Sequence, residues 1–162
     1  MMIKLFITGG TIDKRYDELS GEVVFDKKSY ISQMLKQGRC EVEIELETLF
    51  LKDSLDLSHK DRKKIYQAVK DCNEKNIIIT HGTDTMVKSA KYLGKKSMDK
   101  TIIFVGSMIP HTIKNSDALF NLGTAIGAIS ILPQGVYIAM NGKIFDYNNV
   151  LKNRKIGIFY KK

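Results

Sequence analysis

The sequence predicts an α/β sandwich built on a mainly parallel sheet. Three observations carry that expectation. Short continuous apolar runs recur along the chain, amphipathic helical stretches separate them, and glycine-rich turns close the first and third runs. Continuous apolar runs are what strands covered on both faces require, and alternation with helices is the sequence signature of parallel pairing.

Ile3 to Thr8 reads as the first buried strand. After a loop through Gly21, the segment from Lys27 to Gln37 places Ile31, Met34 and Leu35 at helical spacing, with Asp26 as the expected cap and Gly38 as the expected stop. Cys40, Val42, Ile44 and Leu46 then alternate with Glu41, Glu43, Glu45 and Glu47, the pattern of a half-exposed edge strand. Ser58 and Asp61 form a capping-box pattern ahead of Ile65, Ala68, Val69 and Cys72, which share one helical face. Asn76 to Thr80 is the next strand. A third helix is expected to open at Thr83-Asp84, bury Met86, Val87, Ala90 and Leu93, and stop at Gly94. Thr101 to Val105 is a strand, Asn115 or Ser116 caps a helix carrying Leu119, Leu122, Ile126 and Ile129, and Val136 to Met140 is the fifth strand. Ile156 to Tyr160 is a candidate final short strand. If these elements take the flavodoxin-like order, a three-layer sandwich results, its first and third strands are neighbours, and the crevice beyond their carboxyl ends is the expected ligand site.

At 162 residues and 43% apolar content, without a Pro- or Ser-rich linker, the chain is expected to form one domain, 1–162, with a real core. No segment is apolar for long enough to predict a signal peptide or a membrane span. Cys40 and Cys72 lack metal-ligand spacing and are expected to pack inside a strand and a helix, which argues against a metal site and for a reduced, cytoplasmic setting. The net charge of +8 raises the question of nucleic acid, but the lysine pairs at 27–28, 63–64, 95–96 and 161–162 are dispersed and lack interleaved aromatics. A solvated basic surface able to attract small anions is the expectation over a nucleic-acid groove, and no membrane partner is expected.

Two loops carry the chemistry: Thr8-Gly9-Gly10-Thr11-Ile12 and His81-Gly82-Thr83-Asp84-Thr85. Gly9 and Gly10 allow positive φ and leave backbone N–H groups open to a carbonyl oxygen or an anion. Thr11 at the rim is a candidate nucleophile that needs a proton acceptor, for which Tyr16 and Lys14 are candidates. Thr83 and Asp84 offer a second hydroxyl with a carboxylate, or else a simple helix cap. His81 reads as a packed, hydrogen-bonded ring. A lysine near Thr83 could act as its base, and Lys152, Lys143 and Lys155 all compete for that place.

TGGTI at 8–12, HGTDTM at 81–86 and GSMIPHTIKNSDALFNL at 106–122 together closely resemble the amino-terminal domain of bacterial-type L-asparaginases and glutaminase-asparaginases. MNGKIFDYNNVLK at 140–152 resembles the segment that holds the family's catalytic lysine, which singles out Lys152. The resemblance implies Thr11 as the nucleophile, Tyr16 as the tyrosine of the active-site loop, and Thr83, Lys152 and Asp84 as a second triad. It further implies that Ser54 binds the substrate's α-carboxylate, that Asp84 pairs with its α-ammonium, and that Gly10, Gly82 and Ser107 line the substrate.

Two departures stand out. Leu55 occupies a position where the larger enzymes carry a glutamine, and Tyr147-Asn148 replaces the family's glycine-arginine pair. The chain resembles the short asparaginases, so the carboxy-terminal asparaginase domain is expected to be absent. The expected function is hydrolysis of L-asparagine to L-aspartate and ammonia, with no cofactor, by a chain that pairs with further copies of itself as a homo-oligomer. Glutaminase, an asparaginase-like subunit of a tRNA-dependent amidotransferase, and a non-catalytic amino-acid sensor are the rivals.

Overall fold

The computed structural model describes residues 2–162. The chain runs β1 (Met2–Gly9), a 3-10 turn (Thr11–Asp13), β2 (Lys14–Asp17), β3 (Glu22–Phe25), α1 (Ile31–Gln37), β4 (Glu43–Lys52), a second 3-10 turn (Ser54–Asp56) and α2 (His59–Asp71). It continues through β5 (Asn76–Thr80), α3 (Met86–Gly94), β6 (Thr101–Val105), α4 (Ala118–Ala128), β7 (Gly135–Met140), β8 (Lys143–Asp146), β9 (Leu151–Asn153) and β10 (Ile158–Tyr160).

Six strands form the central sheet in the order β4-β1-β5-β6-β7-β8. The first five pair in parallel, and β8 closes the far edge antiparallel to β7. Among the parallel strands this is the doubly wound, flavodoxin-like order, with β1 and β5 side by side. The chain leaves β1 toward one edge and leaves β5 toward the other, so a crevice opens between their carboxyl ends.

Period-two alternation explains why the strands read as unbroken apolar runs. Phe6, Ile77, Ile79, Ile102 and Phe104 pack on the face covered by Ile65 and Val69 of α2 and Met86, Ala90 and Leu93 of α3. Ile3, Leu5, Ile7, Ile78, Ile103 and Val105 pack on the other, under Ile31 and Met34 of α1 and Ala118, Leu122 and Ala125 of α4. Both faces are covered, which gives three layers. The alternating strand β4 lies at the edge, as its pattern requires, and Lys4 on β1 balances two of its acids with ion pairs to Glu45 at 2.6 Å and Glu47 at 2.9 Å.

Local boundaries depart from the sequence reading at four places. First, α1 begins at Ile31, not near Lys27, and Asp26 does not cap it. The Asp26 carboxylate instead takes the Lys27 N–H and the Tyr30 hydroxyl, while the Tyr30 N–H is claimed by Asp13. Second, residues 83–85 form a turn and α3 starts at Met86. Third, α4 follows Asp117, whose carboxylate takes N–H groups of the loop before it and the Asn121 side-chain amide instead of capping the backbone, while the expected cap Ser116 accepts the Ala118 N–H at 3.1 Å. Fourth, β4 starts at Glu43, so Cys40 precedes the strand, and Cys72 caps the end of α2. The capping box at Ser58 and Asp61 forms as expected. The segment after Thr11 holds a β2–β3 hairpin where the sequence pattern predicts only loop. No helix is long and apolar enough to cross a membrane among the described residues.

Candidate active site

The crevice between β1 and β5 is drawn shut by threonines at the strand ends. Thr8 Oγ1 donates to the Thr80 carbonyl at 2.6 Å, and the Thr8 N–H donates to Thr80 Oγ1 at 3.2 Å. Beyond them the two glycine loops touch. Gly10 has φ 85° and ψ 176°, a region accessible in practice only to glycine, and a Cβ there would lie 2.3 Å from Gly82 N. Gly9 packs as tightly on β4, and the Gly10 N–H donates to the Lys52 carbonyl at 3.0 Å. Backbone-to-backbone contact of this kind holds Thr11, half-buried at the start of its 3-10 turn, beside the 81–85 segment.

The second hydroxyl lies in a charged network. Lys152 Nζ donates to Thr83 Oγ1 at 2.7 Å and to Asp84 Oδ1 at 2.8 Å, and its side chain is only 7% exposed. Of the three lysines in competition at the sequence level, the structure brings Lys152 to Thr83. It does so through the short β9–β10 ribbon, in which Lys152 pairs with the fully buried Phe159. Burying an ammonium is tolerated where a carboxylate and a hydroxyl take its protons, and both do here.

Ser54 completes the floor. The residue is buried, its Oγ accepts the Thr85 N–H at 3.3 Å, and its carbonyl accepts from Thr85 Oγ1 at 2.7 Å. A Cβ on Gly82 would meet Ser54 Oγ at 2.7 Å, so glycine is needed for this approach. Gly10, Gly82 and Ser54 therefore stack in one line of contact. Leu55 beside them is 64% exposed.

Two expected residues lie apart from this cluster. Tyr16 stands 54% exposed on the β2–β3 hairpin, opposite Val23, and no hydrogen bond joins it to Thr11 among the described residues. Ser107 is buried with its hydroxyl donating to the Ile109 carbonyl at 2.7 Å, so its side chain serves the loop. Lys14 is held by Asp53 at 2.6 Å and over the Phe25 ring.

His81 is fully buried, with its ring edge against Phe104 at 5.6 Å. Nδ1 lies 2.8 Å from the Gly82 carbonyl, which can only accept, so the proton sits on Nδ1. Burial is the largest cause that pushes its pKa down to about 4, the nearby Arg62 charge adds to it, and the Gly82 carbonyl opposes both. His81 is a neutral structural ring at pH 7, which matches the sequence reading.

Several supports escaped the sequence reading. Asp117 accepts the N–H groups of Met108 and Ile109 at 3.0 Å and the Asn121 side-chain amide at 2.8 Å, which fixes the loop whose Met108 sulfur lies 3.5 Å from Thr83 Oγ1. Arg62 donates to Thr85 Oγ1 at 3.2 Å and so steadies the residue that holds Ser54. Arg62 gave no signal, because an arginine in the first turn of a helix normally faces solvent. Asp117 did carry one, since Asp117 and Asn121 are four apart on one helical face.

Residues 2–157 match the family described as "Asparaginase, N-terminal". The chain belongs to the asparaginase family. Its relatives include the L-asparaginase of Thermococcus kodakarensis, 28% identical over 98% of this chain and 49% of that protein. A subunit of the glutamyl-tRNA(Gln) amidotransferase of Archaeoglobus fulgidus is 32% identical over 89% of this chain and 35% of that protein. The solved structure of the thermostable T. kodakarensis enzyme superposes with a TM-score of 0.86, covering 99% of this chain and 51% of its own. That of a probable cytoplasmic L-asparaginase from Campylobacter jejuni does so with a TM-score of 0.80 at 28% identity, over 98% and 52% of the two chains. This asparaginase-family chain thus spans about a third to a half of the length of these relatives.

Proposed function

We propose that this asparaginase-family chain hydrolyses L-asparagine to L-aspartate and ammonia through a threonine-bound acyl intermediate. The single observation that carries the reading is the contact of Lys152 with both Thr83 and Asp84, set beside a Gly10–Gly82 contact that joins the Thr11 loop to the same cleft.

Thr11 Oγ attacks the side-chain amide carbon, and backbone N–H groups near Thr11 and Thr83 receive the developing oxyanion. The carbon–nitrogen bond breaks, and the Thr11 proton leaves with ammonia. Tyr16 is the proton partner for Thr11 in this reading, which requires its β2–β3 hairpin to move from the exposed position it holds and close over the site. Water then attacks the ester, passes its proton through the Thr83–Lys152 contact, and releases aspartate with Thr11 restored. Ser54 would hold the α-carboxylate and Asp84 the α-ammonium, while the backbone at Gly10, Gly82 and Ser107 lines the amide end.

Similarity to the A. fulgidus amidotransferase component supports a second reading, in which the same chemistry releases ammonia for a partner. We place the asparaginase reading first because its relatives include enzymes named for asparagine that match nearly the whole chain. A cytoplasmic setting and assembly with further copies belong to the same proposal; the resemblance to the C. jejuni protein and the exposed Leu55 beside the cleft support them.

Ammonia release measured with asparagine and with glutamine tests the proposal. Turnover of asparagine at the higher kcat/KM is the expected result. Ammonia from neither amide, with either amino acid still bound, overturns it.

A further inference from the structure

A second cleft adjoins Asp84 on the outer side of the site. It is a groove of about 990 Å³ between α2 and α3, walled by Arg62, Lys88, Lys91, Lys95 and Arg154. Among the described residues its only carboxylate is that of Asp84, which Lys152 already pairs. Lys88, Lys91 and Lys95 recur at helical spacing along α3 and so line one side with a run of positive charge roughly 10 Å long. This grouping was hidden in the sequence, where the lysines fall in different pairs and segments.

Arg62 supplies an independent sign that the groove expects an anion. The residue is 4% exposed, yet no carboxylate lies within ion-pair distance of its guanidinium among the described residues; the nearest acid that acts on its charge, Asp61, is paired with Lys52 at 2.7 Å. Its hydrogen bonds go to neutral groups: Ser89 Oγ, the carbonyls of Leu57 and Ser58, and Thr85 Oγ1. These occupy four of its five donors and leave one N–H of Nη2 without a partner among the described residues. A buried cation whose nearest carboxylate is engaged by another ammonium is costly, and an anion in the groove it lines relieves that cost. Crowding on α3 points the same way: burial first, then the charges of Lys162 and Lys95, hold the Lys91 ammonium below the ordinary lysine range.

Aromatic and apolar groups share the lining with these cations. His59 and Tyr92 meet edge to face at 5.3 Å, and Leu57 and Val87 add apolar wall. A run of cations interspersed with aromatic and apolar wall suits a ligand with several phosphates and a flat apolar part.

We infer that the α2–α3 groove binds a polyphosphate anion of nucleotide size, with its phosphates on Arg62, Lys88, Lys91, Lys95 and Arg154. The shared chemistry is a chain of phosphates, supplied either by a nucleoside triphosphate or by inorganic polyphosphate. Both the amide cleft and this groove use Asp84 as wall, but the anion site does not depend on what the cleft hydrolyses.

The test is calorimetric titration of the full chain with ATP, tripolyphosphate and inorganic phosphate, repeated with a variant carrying Lys88→Gln, Lys91→Gln and Lys95→Gln. The expected result is binding of ATP and tripolyphosphate that weakens as salt is raised, at least roughly tenfold loss of affinity in the triple variant, and weaker binding of inorganic phosphate. Tighter binding of ATP than of tripolyphosphate assigns a contribution to the nucleoside, for which the His59–Tyr92 pair is the flat apolar wall, and equal binding assigns recognition to the phosphates alone. The three side chains are exposed or half-buried, so the variant should keep its melting temperature and its anion-free turnover. That leaves failure of the anion site and failure of the amide chemistry separately visible. No binding of ATP or tripolyphosphate, unchanged affinity in the triple variant, inorganic phosphate bound as tightly as tripolyphosphate, or binding confined to an RNA oligonucleotide would each overturn the inference.

Discussion

Gly10→Ala is the perturbation that most sharply separates this account from one in which the two threonine loops merely lie near each other. The added Cβ would sit 2.3 Å from Gly82 N, 2.6 Å from Gly82 Cα and 2.7 Å from the His81 carbonyl carbon, all backbone atoms, where ordinary contact begins at 3.4 Å. Relief therefore demands that one loop retreat by about 1 Å, and a displacement of that size at a reacting centre costs on the order of 10²-fold in rate. The backbone at φ 85° and ψ 176° adds strain of about 1–3 kcal/mol for any residue with a side chain. Gly21→Ala is the matched control. It places alanine at φ 71° in the hairpin turn with no atom within 4 Å, so it carries about 1–2 kcal/mol of conformational strain and no wedge. The assay is ammonia release from asparagine alongside thermal unfolding of both variants. Gly10→Ala should lose turnover far beyond its loss of stability, whereas Gly21→Ala should lose a little stability and keep its rate. A Gly10→Ala protein with wild-type melting and wild-type turnover refutes the claim that the loop contact sets the site.

Lys152→Met keeps the stem but removes the ammonium from Thr83 and Asp84; kcat should fall by roughly 10²–10⁴ while far-UV dichroism is unchanged, and a fall confined to KM would show a binding role instead. Asp117→Ala frees the Met108 and Ile109 N–H groups and should cost about 2 kcal/mol in urea unfolding together with a loss of rate, because the loop beside Thr83 loosens. Stability should also fall as pH drops from 6.5 toward 4. His81 is held to about 4 in the fold, so the unfolded chain binds its proton first and gains about 3 kcal/mol over that window. In His81→Gln that part of the decline should vanish, and a decline of unchanged size would clear His81 of the effect.

The sheet was the most legible part of the molecule, for a reason visible in β5 and β6. Strands covered on both faces, such as Ile77-Ile78-Ile79 and Ile102-Ile103-Phe104, need apolar residues at every position and so announce themselves. Edge strand β4 was legible by the opposite pattern, since alternate residues face solvent. Helix starts were misread where a polar side chain found another partner. Asp26 carries the composition of a cap but bonds its own neighbour and the Tyr30 hydroxyl, and Thr83 is committed to Lys152 rather than to a helix N-terminus. The β2–β3 hairpin was hidden because its strands, Lys14–Asp17 and Glu22–Phe25, have no regular apolar alternation; the turn signals were Gly21 and an Asp17 that accepts from Ser20. Lys152 could be named from its resemblance to a family segment but not from the residues alone. A three-residue strand paired with β10 brings it to Thr83, and such pairing leaves almost no local trace. The charge of the α2–α3 groove was likewise invisible, because Arg62 and Arg154 lie far apart in the chain.

The most direct measurement is peptide mass mapping after acid quench of the Lys152→Met protein mixed with asparagine, a background in which release of the acyl group should be slow. The account predicts a β-aspartyl ester on the Thr11 peptide, absent from the Thr11→Ala, Lys152→Met double variant. An ester on Thr83, or normal ammonia release from a chain carrying Thr11→Ala alone, contradicts it.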